Sequence, residues 1–179
     1  GIESYYDCVI KNADVSIVGA EKGVVVSDAI PSATFKGVTI EKSTIYISTL
    51  GYPSNLDQGR LAGIIIYYAE LNILDSNVHI ESRRCISGLS SHSTNRVFIK
   101  GASVVRLINP HENNRYVLNA YVSTFDLSKG GSVTINSVCY NFYGIYDIKL
   151  GAGTKAEYGT KGSQSTRDSD AYYYGAEFN

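Results

Sequence analysis

Ile10-Lys11-Asn12-Ala13-Asp14-Val15-Ser16-Ile17 returns as Ile40-Glu41-Lys42-Ser43-Thr44-Ile45-Tyr46-Ile47, and again as Ile73-Leu74-Asp75-Ser76-Asn77-Val78-His79-Ile80. Each copy sets an apolar anchor before small or polar residues, then alternates apolar and polar side chains. A period of two belongs to a strand with one face buried; a helix would repeat every 3.6 residues. Weaker copies follow at Ile99-Lys100-Gly101-Ala102-Ser103-Val104 and at Leu127 to Ile135, which carries one additional residue. Leu150-Gly151-Ala152-Gly153 reads as a fading sixth. The anchors at 10, 40, 73, 99, 127 and 150 are 23 to 33 residues apart.

A second pattern alternates with the first. Gly precedes a β-branched residue at Gly1-Ile2, Gly23-Val24, Gly63-Ile64 and Gly144-Ile145, and Cys85-Ile86 and Tyr116-Val117 occupy the same slot. Recurrence at this spacing is the signature of a solenoid in which each repeat buries its apolar face only against its neighbours. The expected fold is all-β, a parallel β-helix of about six short coils with three strands per coil. One inward column would hold Ile2, Val24, Ile64, Ile86, Val117 and Ile145. A second would hold the anchors, and a third Val15, Ile45, Val78, Val104 and Val133 beside Ile17, Ile47, Ile80 and Ile135. Asn12, Gly101 and Gly130 suit the bend after the anchor, because these residues tolerate φ > 0. We expect one domain over 1–179, with repeat coils over 1–150 and a C-terminal loop and Tyr-rich capping segment over 151–179. The chain begins at Gly1 and holds no Met, so it reads as a mature or trimmed fragment, and because Gly1-Ile2 is already in phase its first coil is expected to be uncapped. An open sheet edge of that kind invites self-association.

Composition narrows the partners. Sixteen basic and 17 acidic residues leave a formal charge of −1, which offers nucleic acid no electrostatic footprint. The longest apolar run, Gly63 to Ala69, is too short to span a bilayer, so no membrane insertion is expected. Cys8, Cys85 and Cys139 form an odd set without metal-ligand spacing. We expect buried free thiols, no metal and no cofactor.

The alternating Gly-Ile and Ile-x-x-Ser-x-Val-x-Ile pattern resembles the pectate-lyase-like superfamily of right-handed β-helices. Within it, the repeats are most similar to those of secreted bacterial carbohydrate-binding β-helix proteins and cell-surface adhesins. Phage tailspikes share the architecture. The likeness covers residues 1 to 150 and rests on periodicity, with no catalytic signature. It implies a right-handed coil, an extracellular or cell-surface location, and a polysaccharide or cell-surface glycan as partner.

Candidate site residues come from two insertions, 48–62 and 106–115, each placed after the third strand of a coil. Both should leave the solenoid at one corner, with Ser82-Arg83-Arg84 between them. That corner would gather Tyr52, Asp57, Arg60, Arg83, Arg84, His111, Glu112 and Arg115. Arg and carboxylate groups bind sugar hydroxyls and acids, and Tyr stacks on pyranose rings. Catalysis is less well supported, because the acidic residues are scattered and no cluster offers six to eight oxygen ligands to calcium. Glu70 and Asp75 are the nearest pair for hydrolysis, yet Asp75 sits in a bend where its carboxylate is expected to bond backbone. His79 is expected in a solvent-facing column with Ser16, Tyr46 and Thr134, and His92 in a polar loop. Val25, Ile65, Leu118 and Tyr146 would form an apolar outer face, either covered within the chain or used in self-association. The expected function is a non-enzymatic carbohydrate-binding or adhesion domain. The alternatives are a fragment of a polysaccharide lyase or hydrolase such as a tailspike, and a structural spacer.

Overall fold

A computed structural model describes residues 1–27, 36–50, 61–88, 95–110, 118–119, 122–137, 142–143, 147–150, 155–158 and 172–174. All regular elements among them are strands. The first are β1 (Ile2–Ser4), β2 (Cys8–Lys11) and β3 (Asp14–Val18), then β4 (Lys22–Ser27), β5 (Lys36–Glu41) and β6 (Thr44–Ser48). Next come β7 (Ala62–Tyr67), β8 (Ala69–Leu74), β9 (Asn77–Glu81), β10 (Arg84–Gly88) and the long β11 (Asn95–Asn109). The last are β12 (Leu118–Asn119), β13 (Val122–Leu127), β14 (Gly130–Ser137), β15 (Phe142–Tyr143), β16 (Asp147–Leu150), β17 (Lys155–Tyr158) and β18 (Tyr172–Tyr174).

The chain visits three ladders in rotation. The first runs β1-β4-β7-β10-β12-β15, the second β2-β5-β8-β11-β13-β16-β18, and the third β3-β6-β9-β11-β14-β17. Every pairing among the described strands is parallel. β11 belongs to two ladders: residues 95–100 pair with β8 and β13, and residues 104–109 with β9 and β14. Gly101, at φ 63°, turns the strand between them.

The repeats predict most of the register. Ile10, Ile40, Ile73 and Ile99 are successive partners, and Leu127 pairs with Leu150. The third ladder stacks Val15, Ile45, Val78, Val105 and Val133. Val105 therefore replaces the expected Val104. Its copy holds one more residue between anchor and strand, taken up by a register shift between Gly101 and Val104. Leu107, in register with Ile80, completes the neighbouring column. On the first ladder Ile2, Val24, Ile64 and Ile86 stack as expected, but Leu118 and Phe142 continue the column. Leu118 thus takes the register position expected of Val117; Val117, Ile145 and Tyr146 lie outside the described residues.

Inward residues of all three ladders join one apolar cluster, with Val24, Ile64 and Ile86 from the first, Ile40, Ile73 and Ile99 from the second, and Ile47, Ile80 and Leu107 from the third. The Gly of the Gly-Ile motif has a steric reason. A Cβ on Gly63 would collide with the Ile80 Cγ2 methyl and the Cys85 carbonyl, and one on Gly23 would lie 2.6 Å from Ile47 Cγ2. First and third ladders meet too closely there for a side chain. The first repeat is poorly covered: Tyr5, Tyr6, Val9 and Val18 are exposed, and Ile2, Cys8, Ala13, Val15 and Ile17 are only partly buried.

Between the second and third ladders the bends stack as well. Asn12, Lys42, Asp75, Gly101 and Gly130 all have positive φ, from 48° to 100°. The backbone ladder continues through them, for Asn12 N–H donates to Glu41 O, Lys42 N–H to Leu74 O and Gly101 N–H to Lys129 O. Beside them runs a serine ladder. Ser43 Oγ accepts from Ala13 N–H (3.1 Å), Ser76 Oγ from Ser43 N–H (3.1 Å) and Ser103 Oγ from Ser76 N–H (3.3 Å). Each hydroxyl donates back to a carbonyl in its own bend, at Glu41, Leu74 and Lys100. Removing a link strands a buried donor, which costs about 1–3 kcal/mol. Ser76→Ala should lower unfolding free energy by about that amount in urea titrations, with an unchanged m-value.

Candidate functional site

Of the eight residues nominated for a ligand corner, two are described. Arg83 lies in the bend between β9 and β10, is 6% exposed, and its carbonyl accepts from Asn109 Nδ2 at 3.1 Å. Arg84 opens β10 and is half-buried. Tyr52, Asp57, Arg60, His111, Glu112 and Arg115 lie outside the described residues, as do His92 and Cys139. Arg106 is not the start of a loop as expected: it sits within β11, paired with His79 and Thr134. Val25 and Ile65 are covered within the chain at 9% and 3% exposure, in a small cluster with Ala62 and Tyr67 apart from the main core.

Among the described residues, a line of polar side chains runs along the outer face of the third ladder. Strand alternation turns Val15, Ile45, Val78 and Val105 inward, so their neighbours face out. Ser16, Tyr46, His79, Arg106 and Thr134 form one outer column, which contains the expected His79 column and adds Arg106. Thr44, Asn77 and Val104 form the column nearer the bends. Between that column and the bend residues Lys42, Asp75 and Ala102 lies a surface groove of about 440 Å³, which Arg106 also lines. The serine ladder supports it, with Ser43 and Ser76 among its lining.

Next to the groove, one carboxylate organises an aromatic pair. Tyr46 Oη donates to Glu81 Oε2 at 3.1 Å, and His79 Nε2 lies 3.0 Å from Glu81 Oε1. The Tyr46 and His79 rings meet edge to face at 5.3 Å. Partial burial, followed by the hydrogen bond to and charge of Glu81, raises the Tyr46 phenol above its ordinary value, and Ser48 offsets part of this. Tyr46 therefore remains a neutral donor at neutral pH. The sequence carries a signal for this trio, since residues two apart on a strand share a face, but neutral ladder positions and a bridged pair look alike without coordinates.

Several charged groups on these faces are engaged. Asp75 Oδ1 accepts from Ala102 N–H at 2.9 Å, the backbone bond expected of it, though from the next repeat and not its own bend. Glu70 is ion-paired with Arg96 on the second ladder. There Lys100 donates to Asn72 at 2.7 Å and lies 4.8 Å from the centre of the Phe98 ring. By contrast, neither Lys42 nor Arg106 is in an ion pair among the described residues, and both are exposed. No cluster of three or more His, Cys, Asp or Glu suited to a metal occurs among the described residues. No helix there is long and apolar enough to cross a membrane.

Cys85 occupies the Gly slot of the fourth Gly-Ile copy and is fully buried, its thiol facing the carbonyls of Ile80, Ser82 and Ile108. Burial pushes its pKa far above the ordinary 9.0, so it is a core residue and not a nucleophile. Comparison with family models, with curated proteins and with solved structures finds no match for this chain.

Because the folded thiol keeps its proton, above pH 9.0 the unfolded state binds fewer protons than the native one. Stability should fall with rising pH there, Cys85 contributing up to about 1.4 kcal/mol per pH unit. Urea unfolding of Cys85→Ala between pH 8 and 10 should show a shallower alkaline decline. Cys8 and Tyr46, both raised chiefly by burial, add to the decline with the same sign.

Proposed function

We propose that the three parallel ladders are the faces of a right-handed β-helix of the pectate-lyase-like kind, and that the outer face of its third ladder binds carbohydrate. The protein is then a non-enzymatic binding or adhesion domain of an extracellular or cell-surface protein, its partner a polysaccharide or cell-surface glycan. The coil is supported by the rotation of strands among three ladders and by the single core those ladders share.

One observation carries the binding reading: the groove crosses three successive repeats and is lined at each by groups that hydrogen-bond sugars. Thr44 and Asn77 offer hydroxyl and amide, Lys42 and Arg106 offer cations, and Tyr46 and His79 stand two residues further along the same strands. Sugars present many hydroxyls and apolar ring faces, which such polar and aromatic side chains match. A surface extending along the stacking direction suits a polymer better than a small molecule. Binding is favoured over cleavage because the nearby carboxylates serve other partners: Glu81 bridges Tyr46 and His79, Asp75 holds backbone, and Glu70 pairs with Arg96. Hydrolysis requires two carboxylates facing one glycosidic bond.

A glycan array followed by titration against the best polysaccharide tests the reading. Asn77→Ala and Tyr46→Ala should each weaken binding about tenfold, equivalent to ~1.4 kcal/mol, without shortening the polymer. Retained affinity in both variants would move the site elsewhere, and release of unsaturated or shortened oligosaccharides would favour the lyase or hydrolase alternative.

A further inference from the structure

We infer that the groove selects acidic glycans whose negative groups lie on alternate sugar units, with Lys42 and Arg106 as the specificity-determining cations. The inference rests on the glycan reading above and names the ligand's chemical class.

Its basis is the order of charge along the groove. Lys42 precedes β6, Arg106 lies in β11, and β9 runs between those strands. The two cations are therefore two strand spacings apart, roughly 9.6 Å along the stacking direction. Lys42 stands in the bend and Arg106 two residues past the Thr44-Asn77-Val104 column, and both side chains line the groove. A polymer lying along the stacking direction would place anions on alternate sugar units about two strand spacings apart, in step with the two cations, and both cations are exposed and outside any ion pair among the described residues.

The repeat between them has the opposite character. It contributes Asn77, which is neutral, and Asp75, whose carboxylate is fixed by the Ala102 N–H and also lines the groove. A negative group on the intervening sugar would stand beside Asp75, and like charges brought together without solvent are strongly disfavoured. The groove thus attracts charge at its first and third repeats and repels it at the second. A polymer charged on every unit meets one repulsive position for every two attractive ones. An alternately charged polymer meets none, and a neutral one gains nothing from the cations.

Binding of the full chain is to be compared for size-matched oligosaccharides of hyaluronan (carboxylate on alternate units), keratan sulfate (sulfate as the only charge), polygalacturonate (carboxylate on every unit) and neutral dextran. Hyaluronan or keratan sulfate should bind about tenfold tighter than the other two, and which of them does identifies carboxylate or sulfate as the anion. Lys42→Gln and Arg106→Gln should each weaken that binding about two- to fivefold, as expected for exposed charge contacts, and reduce its salt dependence. Asp75→Asn, which keeps the acceptor for Ala102 N–H, should improve polygalacturonate binding relative to the parent chain. Dextran binding as well as the acidic oligosaccharides, with both Gln variants silent, overturns the inference and leaves the glycan reading standing. Tightest binding to polygalacturonate overturns it too. If none of the four binds and the glycan array is also blank, both readings fall.

Discussion

The stacking of like apolar side chains at the strand spacing is the interaction on which the remaining features depend. Ile40 lies over Ile73 and Ile73 over Ile99, each without measurable exposure, and equivalent columns from the other ladders complete the same cluster. Each such isoleucine contributes about 1.5–3 kcal/mol on burial. A one-residue slip in any ladder would turn its column outward and forfeit that gain across the whole stack. Parallel pairing follows from the same requirement, since the chain must return to the start of each ladder to lay the next residue on its column.

The outer face inherits its order from this core. With the inward residues in register, the outward ones have no freedom to scatter, so Tyr46, His79 and Arg106 share a line although 27 or more residues separate each from the next. The bends add rigidity through five left-handed residues and a chain of serines. Lys42 and Asp75 adopt φ near 48°, a conformation that costs an L-residue energy and persists only where surrounding bonds hold it. Their backbone N–H groups do so by donating to Leu74 and Lys100. The polar groups proposed to meet a ligand are therefore carried on a preorganised surface.

How much of this is legible in the sequence depends on the length of the cue. The anchor column is legible because four copies keep the same phase, and the His79 column follows from alternation alone. The Val104-for-Val105 slip arises because an additional residue in the bend leaves the alternating pattern intact but moves it by one. Arg106 was hidden by the same displacement, since seven residues after its anchor it falls on the apolar position of Ile47 and Ile80, where an arginine reads as the end of the strand. Asn12, Gly101 and Gly130 advertise positive φ by residue type, whereas Lys42 and Asp75 do not; only their stacking on those residues reveals it. The corner patch drawn from the insertions could be followed only at Arg83 and Arg84. Loop residues lack the periodicity that makes ladder positions readable, and Arg83 illustrates the difficulty, as a charged residue held largely buried beside Asn109.

The central claim is that the ladders enclose one core, and the contact between Gly63 of the first and Ile80 of the third gives it a direct measurement. In a double-mutant cycle by urea unfolding, Gly63→Ala adds a methyl where the Ile80 Cγ2 now lies, and Ile80→Ala vacates that space. If the ladders face each other, the double variant should be more stable than the sum of the single losses predicts, by about 0.5–3 kcal/mol. Losses that add to within about 0.5 kcal/mol would mean that the two ladders do not share a core.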